Sequence, residues 1–145
     1  MYMKEYKVKI KKIDWLDKEG LEAEILFEMK EQYLWAFCHP CDFIENEEEI
    51  VSFDFIENEI SENEFWNKNS NNIKKIVPME YDKWSYSCYG QIEQINPIMV
   101  NCGPITFSFG NWINDINIIN NYVYFVISRL DIIKVNKLNS TTNII

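Results

Sequence analysis

The chain has 145 residues, of which 47% are hydrophobic and 15% aromatic, and its 14 basic against 23 acidic residues leave a formal net charge of −9. That supply of apolar side chains offsets the entropy lost on ordering the backbone, so global disorder is excluded, and the length suits one domain around one core. A field of this sign repels a phosphate backbone, so binding of nucleic acid would need a strong local exception.

The first residues, MYMKEYKVKIKKIDW, carry a lysine every two or three positions and lack the apolar stretch of a secretory signal. No run of about twenty apolar residues follows, so no ordinary membrane-spanning helix is expected. A cytoplasmic protein is the expectation, with Cys38, Cys41, Cys88 and Cys102 as thiols rather than disulfides. Abundant Ile and Asn with only four glycines fit an AT-rich, bacterial coding sequence.

Taken in chain order, Tyr6, Val8 and Ile10 alternate with Lys7, Lys9 and Lys11, the period of a strand with one wet face. A turn at 17–20 leads to Leu21, Ala23, Ile25, Phe27 and Met29, alternating with glutamates. Tyr33, Trp35 and Phe37 resume the pattern after a break near Glu31, so 21–38 reads as a hairpin, ended by His39 and Pro40. An acidic link precedes Val51, Phe53 and Phe55. Residues 61–72 are the helical candidate, with Ser61 as cap and Glu64 in the reciprocal position. Strands are expected again from Ile73 to Pro78, Tyr86 to Ile95, Ile98 to Cys102 and Ile105 to Phe109, with breaks at Asn96-Pro97, Gly103-Pro104 and Gly110-Asn111. WINDINIINN reads either as one helical turn packed by Trp112, Ile113 and Ile116 or as a loop. Tyr122 to Ile127 is a strand, and Ile132 to Val135 its continuation or a last strand.

Eight or nine short strands around one short helix predict a mainly β, single small antiparallel β-barrel, of oligonucleotide-binding (OB-like) or related Greek-key type, with a two-sheet β-sandwich as the alternative. The domain spans 1–136, and 137–145, rich in Asn, Ser and Thr, is expected as a flexible tail.

Four features bear on chemistry. Cys38-His39-Pro40-Cys41 places two thiols three positions apart, and with Cys88 and Cys102 they would make a four-thiolate zinc site. Buried cysteines acting as small hydrophobes are the plainer reading, and no cofactor is expected. The same pair has the spacing of a redox dithiol, but the acidic run beginning at Asp42 opposes a thiolate. His39 is the only histidine, which leaves little room for a general base. The stretch from Asp42 to Glu64 holds ten acidic residues, among them Glu45, Glu59, Glu62 and Glu64, and no basic one. Its plainer reading is a solvated loop and strand face; its functional reading is steering of a basic partner. Trp35, Tyr81, Trp84, Tyr86, Tyr89 and Trp112 could stack on bases or sugars, although core packing accounts for most of them. Tyr81, Trp84 and Tyr86, interleaved with polar residues, read as interface material.

No serine elbow or glycine-rich phosphate loop exists, and no carboxylate pair stands out. The expectation is therefore a non-enzymatic protein-interaction module, an inhibitor or immunity-type protein binding a basic partner through Glu47, Glu48, Glu49, Asp54, Glu57, Tyr81, Trp84 and Tyr86. The alternative is a barrel that binds a small ligand or single-stranded nucleic acid beside Lys7, Lys9 and Lys11. An enzyme acting through a carboxylate or the Cys-His group ranks last.

Overall fold

A computed structural model describes residues 4–80, 82–111 and 113–135. Tyr81, Trp112 and the tail expected at 137–145 lie outside the described residues. Those described form nine strands, one α-helix and one 3₁₀ turn.

Strand β1, Tyr6–Asp17, buries Val8 and Ile10 as their alternation predicts. It continues beyond the expected segment because Lys11 is an extra residue opposite β2: Ile10 pairs with Phe27, and Lys12 with Leu26. Such a bulge shifts the side-chain phase by one, so Ile13 also packs against the core. Strand β2, Glu22–Met29, buries every second side chain, and β3, Gln32–Cys38, buries Leu34, Ala36 and Cys38. Lys30 and Glu31 join them with φ of 46° and 64°, the left-handed pair that matches the strand twist in a two-residue hairpin.

Strand β4, Glu48–Asn58, begins inside the acidic stretch expected as a link, because Glu48 and Glu49 pair with Lys9 and Val8 of β1. Helix α1, Glu62–Asn67, is half the expected length. Ser61 caps it as predicted, its Oγ accepting from the Glu64 N–H at 3.1 Å. The helix ends early because Asn69 turns into the core, a role described below. Strands β5 (Lys75–Pro78), β6 (Tyr86–Gln94), β7 (Ile98–Asn101) and β8 (Thr106–Gly110) follow. The ambiguous segment forms a 3₁₀ turn at Ile116–Ile118; Ile113 and Ile118 pack against the core, while Ile116 is 71% exposed. Tyr122–Lys134 is one strand, β9.

The strands are ordered β3-β2-β1-β4-β9-β6-β7-β8, with β5 on β6. A single parallel bridge, Phe37 to Asp131, joins β3 back to β9 and closes β1, β2, β3, β4 and β9 partly into a ring. All other pairings are antiparallel. The fold is therefore mainly β and barrel-like, with one short helix, as the alternation predicts. It is layered where Phe107 and Phe109 of β8 pack on Phe125 of β9 at ring distances of 5.5 and 4.7 Å, and on Phe55 of β4 at 5.1 and 5.4 Å.

Two polar ties and one close strand approach hold the framework together. Asn69, 4% exposed, sends its amide nitrogen to the carbonyls of Ile73, Gly90 and Val123 and accepts from the Ile73 N–H. Gly90 lets β6 and β7 approach closely: a Cβ there would lie 2.6 Å from Val100, 2.7 Å from Cys102 and 2.8 Å from the Asn101 carbonyl. The Tyr6 hydroxyl accepts from the Thr106 N–H at 2.8 Å and lies 3.3 Å from the Thr106 carbonyl oxygen, fastening β1 to β8.

Candidate functional site

Glu48 and Glu57 are nine positions apart on one strand, a span of about 30 Å at strand rise. The acidic stretch is thus drawn out along β4 instead of gathered into one patch, and its members meet different surroundings. Glu48 pairs with Lys7 at 3.4 Å, and Glu49 with Lys134 at 3.4 Å. Glu45 accepts from the Ile13 N–H at 2.8 Å. Glu47 is exposed in the turn before β4. Asp54, also exposed, bonds to the N–H of Phe55 and stands opposite Asp131.

Glu57 differs. Ser128 is an extra residue in β9, since Ile56 pairs with Arg129 and Glu57 with Ile127. Past this irregularity β4 leads to a cleft of about 330 Å³ lined by Glu57, Glu59, Ile60, Glu62, Phe65 and Trp66, with Ser61 and Ile113 completing it. Phe65 and Trp66 meet edge to face at 4.9 Å, so the floor is aromatic. Desolvation alone pushes the Glu57 carboxyl above its ordinary value. Among the described residues, none of Glu57, Glu59 and Glu62 forms an ion pair. Lys68, the nearest cation in sequence, is held by Glu64 at 3.7 Å and lies over the Tyr124 ring at 4.5 Å. A carboxylate rim over an aromatic floor suits a cation on an apolar stem, because rim and floor both attract positive charge.

A second surface lies on the outer face of β3. Tyr33 is 55% exposed, while Trp35 and Phe37 are half-buried. Lys83 lies 4.3 Å over Trp35 and pairs with Asp14 at 3.3 Å and Glu24 at 3.5 Å. Arg129 lies 4.4 Å over Phe37 and grips Asp131 through two bonds of 2.7 and 3.0 Å. Hydrogen bonding to Asp14 raises the Lys83 pKa, and bonding to Asp131 raises that of Arg129. The charges on this wall are already matched. Trp84 joins it, half-buried and edge-on to Phe37 at 5.7 Å.

Tyr86 corrects the expectation of an interface residue. It is 1% exposed, with its hydroxyl on the main chain of Trp35, so it belongs to the core and cannot meet a partner. Its alternation with Cys88 and Ile92, both buried, was the signal for this placement. Sequence reasoning missed Phe65, Trp66, Glu59 and Glu62 as neighbours of Glu57. The capping motif at Ser61 was the available clue, because it turns the chain directly after β4.

The four cysteines form two pairs, Cys38 with Cys41 and Cys88 with Cys102. They do not converge on one centre, and among the described residues no group of three or more His, Cys, Asp or Glu is placed to hold a metal ion. The Cys41 thiol is lowered, first by the neighbouring Cys38 thiol and then by the Phe43 N–H and Lys134, against burial and Asp42, while the Cys38 thiol itself donates to the Pro40 carbonyl at 3.7 Å. Asp42 opposes a thiolate at both cysteines, as the acidic run leads one to expect. Cys38 is correspondingly raised, first by Cys41 and then by desolvation. His39 is exposed beside them. Among the described residues no helix is long and apolar enough to cross a membrane. Compared with protein-family models, curated proteins and solved structures, the chain matches none.

Proposed function

We propose that the chain is a non-enzymatic interaction module that binds a basic protein, with a Lys or Arg side chain of the partner entering the cleft between Glu57, Glu59 and Glu62. In this reading it acts as an inhibitor or immunity-type protein in a bacterial cytoplasm. The observation that carries the reading is that Glu57, Glu59 and Glu62, which have no ion pair among the described residues, line one cleft with Phe65 and Trp66. The net charge of −9 supplies long-range attraction to the same partner, which speeds encounter more than it tightens the complex. A small-ligand or single-strand-binding barrel has weaker support, because Lys7 of the proposed basic stripe is engaged by Glu48.

The test is titration of the full chain with a lysine-rich and an arginine-rich peptide, each flanked by apolar residues, at two salt concentrations. Salt-sensitive binding that weakens about tenfold or more in the Glu57→Gln/Glu59→Gln/Glu62→Gln variant is expected, each lost charge contact contributing on the order of 1 kcal/mol. Neutralising Glu47, Glu48 and Glu49 is expected to change mainly the association rate. Equal affinity in the cleft variant and the unaltered chain would overturn the proposal.

A further inference from the structure

We propose that Cys38 and Cys41 form a reversible oxidation site, in which Cys41 takes an oxygen from a peroxide and Cys38 closes the disulfide. The placement of the pair is fixed by main-chain bonds. Cys38 sits in the β3 ladder opposite Ala23, and the Cys41 N–H donates to the Leu21 carbonyl at 2.8 Å, so both cysteines are anchored to the same end of β2. The chain between them, His39 and Pro40, is exposed, as is Asp42 after them, while both thiols are 2% exposed. The two thiols therefore lie directly beneath an exposed turn.

A cation stands at the same corner. Lys134 Nζ lies 3.5 Å from the Asp42 carbonyl oxygen, 3.9 Å from its carboxylate and 5.8 Å from the Phe43 ring centre. With the Phe43 N–H and the Cys38 thiol it supports negative charge on Cys41. The second pair lacks this support. Cys102 is wholly buried, and desolvation followed by Cys88 pushes its thiol up, so it serves as an internal control.

The chemistry balances in two steps. The Cys41 thiolate attacks a peroxide oxygen, the O–O bond breaks, and hydroxide leaves to give a sulfenic acid. The Cys38 sulfur then attacks the Cys41 sulfur; the S–O bond breaks, and hydroxide departs with the Cys38 proton as water. Both thiols together lose two electrons, and the peroxide gains them. Two equivalents of a small thiol restore the pair and leave as their own disulfide.

The experiment exposes the full, folded chain to hydrogen peroxide, alkylates the remaining thiols and maps the peptides by mass. The expected result is loss of two hydrogen atoms from the peptide holding Cys38 and Cys41, reversed by dithiothreitol, with Cys88 and Cys102 still alkylated after unfolding. In Cys38→Ser, a sulfenic acid trapped by dimedone on Cys41 is expected. The unaltered chain decides the matter even if that variant fails to fold. A 38–41 peptide that stays reduced at a peroxide dose that oxidises free glutathione in a parallel tube would overturn the proposal, as would prior oxidation of Cys88 and Cys102.

Discussion

The hydroxyl of Tyr86 accepts a hydrogen bond from the Trp35 N–H at 2.8 Å and donates one to the Trp35 carbonyl at 2.7 Å. One phenol thus occupies the place of a neighbouring strand where β3 meets β9 only through the Phe37–Asp131 bridge. Tyr86→Phe keeps the ring but strands both main-chain groups. A loss of roughly 2–6 kcal/mol is expected, at about 1–3 for each unsatisfied group, read as a lower urea midpoint with an unchanged slope.

The same hydroxyl sets an alkaline limit. Burial raises its pKa above the ordinary 10.0, against the opposing hydrogen bond to Trp35. The folded state thus holds this proton more tightly than the unfolded chain. The associated stability is complete below pH 10.0 and declines as pH rises from there through the folded-state value. Thermal unfolding across the alkaline range is expected to show a steeper decline in the unaltered chain than in Tyr86→Phe.

Asn69→Asp is expected to cost about 3 kcal/mol or more, because a carboxylate would face the Ile73, Gly90 and Val123 carbonyls with no proton to offer. Denaturant melts should show the loss shrinking at acid pH, where the carboxyl is neutral.

Gly90→Ala is expected to destabilise by roughly 1–3 kcal/mol, the usual range for overpacking. The contact with Val100 can relax by a rotamer change, but the Asn101 carbonyl belongs to the partner strand. Faster hydrogen exchange confined to β6 and β7 would mark the site of strain.

Glu57 gives the proposed partner binding a pH signature. Its carboxyl is raised by desolvation above the ordinary 4.5, so it protonates before unperturbed glutamates as pH falls. Affinity for a basic peptide should weaken on acidification starting above that value, and Glu57→Gln should remove this early part of the profile. Because the raised pKa opposes folding as pH rises through it, Glu57→Gln should also be more stable than the parent at neutral pH, and the gain should vanish in acid.

The strand pattern was legible wherever one face alternated without interruption, as in β2, β3 and β8. It failed at the bulges. Lys11 and Ser128 each shift the phase by one, so Ile10 is followed inward by Ile13, and Ile127 by Leu130. Period-two reasoning sees only a broken run at such places. Asn69 was hidden for another reason: among Asn67, Asn71 and Asn72 nothing local distinguishes the one that enters the core. The acidic stretch was legible as charge but not as a site. Whether a glutamate meets a lysine, as Glu48 does, or an aromatic floor, as Glu57 does, depends on cross-strand register and on the turn into α1.

Tyr6 repeats on Thr106 what Tyr86 does on Trp35. The strands at the two ends of the sheet order, β3 and β8, therefore both have main-chain groups already taken by a phenol. An extended segment of another polypeptide cannot dock there by β-augmentation without first evicting a tyrosine. Recruitment of a partner is thereby directed away from these edge positions and toward side chains, which reward a particular residue and not merely an extended backbone.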